Sequence, residues 1–242
     1  MKLKIVILFF FTAYFLNAQS CGFGCLGFSG AFGGYTIQQY KAEGVNNAVK
    51  LFRDQFKFSN DRLKFKQGKG FKVGANIFRA NFTGYFLTAK AFYQFLKEEN
   101  KIFTNQSQGA TQESYTLKLN HWGVGVDFGI PLFNFLDFKI VEGGVTFFKS
   151  SLENKITQDG KELSKIRFDN PKIDIGYYVG TGIILHLIRD YVSIEGTAFY
   201  HKMEIKEMVP DKNGDLFSNI NNSYINQGGF GADVQLNVGF PL

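Results

Sequence analysis

From Ile173 to Leu187 the chain alternates between two kinds of residue. Odd positions carry Ile173, Ile175, Tyr177, Val179, Thr181, Ile183, Leu185 and Leu187; even positions carry Asp174, Gly176, Tyr178, Gly180, Gly182, Ile184 and His186. The last segment repeats the pattern, with Phe230, Ala232, Val234, Leu236, Val238 and Phe240 set against Gly231, Asp233, Gln235, Asn237 and Gly239. A period of two places one set on each face of a β-strand. Six further segments alternate near 27–37, 68–79, 82–96, 114–130, 135–149 and 190–206. Eight strands are predicted.

The connections alternate too. Long ones fall near 38–67, 97–113, 150–170 and 207–226, and short ones at Arg79–Asn81, Pro131–Asn134 and Ile188–Asp190. A soluble barrel also alternates, with its apolar row inward, so alternation alone does not separate it from a membrane barrel. Loop lengths do, because outer-membrane barrels keep short turns on the periplasmic side and long loops outside. The minor row (Gly, Asp, Asn, Gln, Tyr and His) suits a crowded lumen better than a solvated exterior. Rings near strand ends, among them Tyr85, Tyr93, Trp122, Phe133, Phe147, Tyr191 and Tyr200, suit the girdles at membrane interfaces. The predicted fold is all-β: an eight-stranded antiparallel transmembrane up-and-down β-barrel with a short helix in the first extracellular loop.

Composition sharpens this picture. Phe supplies 29 of 242 residues and aromatics 17%, yet mean hydropathy is only −0.10. After the start of the chain no apolar run reaches the ~18 residues a membrane helix needs. The start reads as a signal peptide over residues 1–18, with Lys2 and Lys4 before an apolar stretch from Ile5 to Leu16 and small residues following; residues 19–242 are then the barrel. The formal charge of +6 drops by those two lysines to 6 − 2 = +4. Such an excess points to anionic lipid or polysaccharide as partner, and an exported chain meets no nucleic acid. Cys21 and Cys25, in the run CGFGC, admit three readings: a local disulfide, free thiols, or acylation at Cys21.

On these features the chain resembles the small outer-membrane β-barrels of the outer membrane protein A, X and W type, especially the barrel-domain proteins common in Bacteroidota. The resemblance spans nearly all of residues 19–242 and includes the amphipathic strand Phe230–Phe240, similar to the family's assembly signal. There is one departure: Pro241 and Leu242 follow Phe240, where the family's signal ends on its aromatic residue. The resemblance implies an outer-membrane location, with outer-membrane lipid around the barrel, and a porin-like or structural role without a cofactor.

Chemistry is sparse. No glycine run reads as a phosphate loop. His201 and Glu195 share an inward row but stand six residues apart, about 20 Å along a strand, so they do not form a catalytic pair; no enzymatic activity, cofactor or metal site is expected. The inward rows carry Lys72, Lys90, Asp127, Asp137, Lys139, Asp174, Glu195 and Asp233. An eight-stranded barrel is just wide enough for side chains to fill it, so these ions are expected to pair.

The first long loop stands out. Val45, Val49, Phe52 and Phe56 fall at helical spacing within Ala42–Phe56. Between Lys41 and Lys69 eight Lys or Arg face three acids, 8 − 3 = +5. Lys50, Arg53 and Lys57 are the candidate partner-binding residues, for an anionic polysaccharide or another outer-membrane protein. The bland alternative is a helix sealing the barrel mouth with a solvated basic face. Two functions stay open: a non-enzymatic barrel with a structural, adhesive or complex-associated role in its loops, and a small transport barrel for a narrow or apolar solute.

Overall fold

The computed structural model describes residues 29–55, 63–106, 109–189, 191–210 and 224–239. In chain order they form β1 (Gly30–Gln39), helix α1 (Glu43–Gln55), β2 (Gln67–Phe82), β3 (Tyr85–Gln106), β4 (Gly109–Phe133), β5 (Leu136–Gln158), β6 (Lys161–Asp169), β7 (Asp174–Ile188), β8 (Val192–Lys202), the short β9 (Val209–Pro210) and β10 (Gly229–Gly239). Eight of them close a ring, β1-β2-β3-β4-β5-β7-β8-β10, every neighbour antiparallel. Closure is made by nine register pairs between β1 and β10, from Gly30↔Gly239 to Gln38↔Gly231. The predicted eight-stranded barrel is present, and α1 lies between its first two strands. A closed ring leaves no unpaired edge within the barrel wall.

The outward rows are apolar: Tyr35 on β1, Phe71 and Val73 on β2, Trp122, Val124 and Val126 on β4, Val179 and Ile183 on β7, and Val234 and Leu236 on β10 are all exposed. The inward rows are buried, with ions, amides and hydroxyls interspersed with glycines and rings such as Phe32, Phe92 and Tyr178. This reverses a soluble protein. Inside, glycines make room for rings. A side chain at Gly125 would collide with the Tyr178 hydroxyl, and one at Gly144 would meet the same ring at 2.7 Å.

Three expectations are corrected. The first short turn is at Thr83–Gly84 instead of Arg79–Asn81, because a bulge between Asn76 and Phe78 turns Ile77 and Phe78 outward together and breaks the alternation. Of the predicted loop 97–113, residues 97–106 and 109–113 are the continuation of β3 and β4, paired out to Gln106↔Gly109. Residues 150–170 likewise continue β5 and return as β6. Their turn, Asp159–Gly160, has both residues at positive φ (49° and 79°), the geometry of the tightest hairpin turn. A four-stranded sheet of β3, β4, β5 and β6 thus rises past the barrel rim. From Glu98 to Gln106 it extends roughly 26 Å along the strand.

Residues 1–28, with the predicted signal peptide, Cys21 and Cys25, lie outside the described residues, as do Phe56, Lys57 and Phe240.

Candidate functional site

The barrel interior is layered. Toward the short-turn rim, Asp137 accepts from Arg79 Nη2 at 3.0 Å and meets His186 Nε2 at 2.8 Å. The middle layer is an ion network drawn from six strands. Lys72 (β2) reaches Asp233 (β10) at 2.9 Å. Lys90 (β3) lies 2.7 Å from Asp127 (β4) and 3.3 Å from Glu195 (β8). Lys139 (β5) donates to Glu142, to Glu195 and, at 2.8 Å, to Thr197. Gln235 and Asn237 on β10 donate to the other Glu195 oxygen at 3.1 and 3.2 Å. All these middle-layer side chains are buried. Buried ions need partners of this kind, since an isolated one costs several kcal/mol or more.

The predicted inward ions other than Asp174 therefore pair, Asp137 in the rim layer and the rest in the network. Asp174 sits half-buried at the far end of β7, where Asn170 Nδ2 donates to it at 3.3 Å. Glu142 joins the network although strict alternation does not place it inward. Ile140 and Val141 both face outward at a second bulge, which flips the parity of β5 and turns Glu142 in. Two adjacent apolar residues followed by an acid are the available signal. Asp127, Glu142 and Glu195 hold oxygens within 4.8 Å of one another, as a metal site would, but the ammonium groups of Lys90 and Lys139 already serve those oxygens.

Above the ions lies a ring layer. His201 Nε2 stands 2.7 Å from Thr146 Oγ1, and its Nδ1 3.2 Å from Gln38 Oε1. A hydroxyl, an imidazole and an amide in this order have the outline of a nucleophile, base and orienting group. All three are buried, however, and the His201 ring packs among His121, Phe148, Tyr178 and Phe199 at 5.2–6.5 Å. A substrate has no access. Glu195 bonds the lysines and not His201, as the strand spacing requires.

The mouth on the long-loop side is closed by an apolar core. Val45, Ala48 and Val49 of α1 are almost fully buried against Phe65, Leu96, Leu117, Leu119, Leu152, Ile205 and Ile225. The helix is fastened to both sides of the mouth. Asn46 exchanges two hydrogen bonds with the Phe65 backbone, at 2.7 and 3.2 Å. Val45 N donates to Tyr224 O at 3.1 Å, and Lys41 bridges to Gln227. Beside it, Glu98 accepts from the Tyr40 hydroxyl and from the backbone of Lys66 and Gln67, the latter two at 2.9 Å. Burial and the adjacent Glu98 carboxylate push the Tyr40 phenol well above its ordinary range, so it stays a donor. The predicted apolar stripe is present at Val45 and Val49; the side chain of Phe52 lies outside the described residues. Lys50 is exposed on the opposite face of α1. Arg53 belongs to the last turn of the same helix, with its side chain outside the described residues, as is all of Lys57.

An up-and-down eight-stranded barrel with an apolar exterior and a polar, filled interior is the architecture of the small outer-membrane β-barrels. No protein-family model and no curated protein matches the sequence. Among solved structures the chain is similar to Ail, the attachment invasion locus protein of Yersinia pestis, in complex with the heparin analogue sucrose octasulfate: 9% identity, TM-score 0.36, covering 88% of this chain and 97% of that one. Ail alone gives 10% identity and a TM-score of 0.34, covering 89% and 99%. A major outer membrane protein from Thermus thermophilus gives 10% and 0.40, covering 87% and 99%. At such identities no ligand or activity passes from those proteins to this one, and the architecture stands on its own strand pairing.

Proposed function

We propose that the protein is a non-enzymatic barrel of the bacterial outer membrane whose working surface is its outer end. The observation that carries this reading is a lumen obstructed twice, by paired ions across its middle and by the α1 core over its mouth, beneath a sheet that projects beyond the rim. The outward apolar rows supply the lipid-facing surface. The four-stranded projection and the exposed face of α1 supply area for a structural, adhesive or complex-associated role. Lys50, Arg53 and Lys57 are the cations we assign to docking an anionic polysaccharide or another outer-membrane protein. Transport of a narrow solute is the weaker reading, because the nine-pair β1–β10 closure leaves no lateral gap there and the ion network crosses the lumen.

Two measurements test this. Planar bilayers containing the purified protein should show no stepwise conductance, and steady single-channel steps would favour transport. Outer membranes washed at high salt should retain the protein; recovery as a soluble periplasmic protein would overturn the membrane assignment.

A further inference from the structure

The outward rows end differently at the two rims. At the long-loop rim an aromatic residue stands two positions from a lysine nearer the outside: Phe71 with Lys69, Phe95 with Lys97, Phe147 with Lys149, Tyr200 with Lys202. Two apart on a strand is the same face, so each lysine follows a ring along the barrel's exterior. At the short-turn rim, among the described residues, the cations are Arg79 and Arg189, with no lysine, and Arg79 is already bound to Asp137. The lysine collar therefore belongs to one rim.

Between β1, β2, β8 and β10 the collar deepens into an exterior groove of about 520 Å³, lined by Lys41, Lys66, Gln67, Tyr200, Gln227 and Phe230. Neither Lys41 nor Lys66 makes an ion pair within 4 Å among the described residues, and both are exposed. A neighbouring acid, Glu98, is taken up by Tyr40 and two backbone amides. Gln227 Nε2 donates to the Tyr200 hydroxyl at 3.1 Å, and the Tyr200 ring meets Phe230 edge-on at 5.2 Å. Below the groove the exposed pair Tyr35 and Phe71 continues the apolar wall. The site thus offers cations and amide donors at the top and rings beneath. That is the polarity of a lipid with an anionic head and acyl chains.

We infer that this groove seats the phosphate-bearing headgroup of an outer-leaflet lipid, with Lys41 and Lys66 as its cations and Tyr200 and Phe230 against the upper acyl chain. The inference rests on the membrane reading proposed above. Lysine near an anionic membrane surface is worth about a five-fold preference, so two give about 25-fold, weakening with salt because the Debye length is about 8 Å at physiological strength.

The test uses the full chain inserted in phosphatidylcholine nanodiscs containing a minority of phosphatidic acid, with retained lipid counted by native mass spectrometry. Wild type should carry phosphatidic acid far above its share of the bilayer. Lys41→Gln with Lys66→Gln should lose about 25-fold in that preference, and Lys161→Gln with Lys165→Gln, on the distant β6, should lose none. Equal retention of both lipids by wild type, or an unchanged preference in the groove variant, overturns the inference. Displacement of the lipid by an equal concentration of inorganic phosphate would overturn the lipid assignment in favour of a free-anion site. Failure to enter pure phosphatidylcholine bilayers would instead overturn the membrane reading.

Discussion

Lys139 is fully buried, and its ammonium group serves Glu142, Glu195 and Thr197 at once. Lys139→Met leaves two buried carboxylates short of a cation, a change that costs about 3–5 kcal/mol when a buried pair is broken from one side. Urea unfolding followed by heat-modifiable gel mobility should show that loss, and adding Glu195→Gln should recover part of it. A full-stability Lys139→Met protein would mean that the network is hydrated and loosely coupled. Steric fit is equally local. Gly125→Ala drives a methyl group into the Tyr178 hydroxyl and should cost about 1–3 kcal/mol, as overpacking does. Tyr178→Phe removes the offending atom, so the double variant should be more stable than Gly125→Ala alone. Additive losses in the double variant would show that the clash is with the strand and not with the ring.

At the scale of elements, α1 separates two roles by face. Val45→Ser with Val49→Ser strips the helix of its buried contacts and should lower stability by up to about 3–6 kcal/mol, at about 1.5–3 kcal/mol for each fully buried valine. Lys50→Glu, on the exposed face, should leave the melting midpoint unchanged. A melt of both variants decides whether the helix is a cap. This stripe is visible in the sequence because helical spacing is local; the residues it rests on, from Leu96 to Ile225, are joined only by the closed ring. The same distinction explains the strands. A period of two reveals the ring wherever one face meets an apolar surface. Past the rim, β3, β4 and β5 carry residues such as Glu98, Thr116, Ser151 and Asn154. There the alternation fades, and the projecting sheet reads as loop even though Asp159–Gly160 marks its turn. Bulges at Ile77–Phe78 and Ile140–Val141 shift parity by one residue, which displaces the first turn and hides Glu142. Likewise, exposed lysines beside rings become a collar only when the closed ring brings β2, β3, β5 and β8 to one rim.

For the whole molecule, the ring order fixes which segments share a side. Gly160 lies at the tip of the projecting sheet, whereas Thr83 and Asn134 lie in turns at the opposite rim. Cysteines placed at these positions, in a background lacking Cys21 and Cys25, should react with a membrane-impermeant maleimide on intact cells only at Gly160. Labelling at Thr83 or Asn134 instead would invert the proposed orientation. The place where the cap is tied matters at this scale as well. The α1 loop leaves β1 directly, and residues 224–228 lead directly into β10, so the bonds from Lys41 to Gln227 and from Val45 to Tyr224 straddle the seam where the first and last strands meet. That seam joins the two ends of the ring and is the last pairing a sequentially assembled barrel can make. A clasp tied across it cannot fasten until the seam has closed. Once fastened, it opposes the lateral peeling of β1 from β10 from outside the lipid, where water would otherwise compete for the freed backbone groups. Loosening the clasp should therefore show itself in how fast the ring opens more than in how fast it forms.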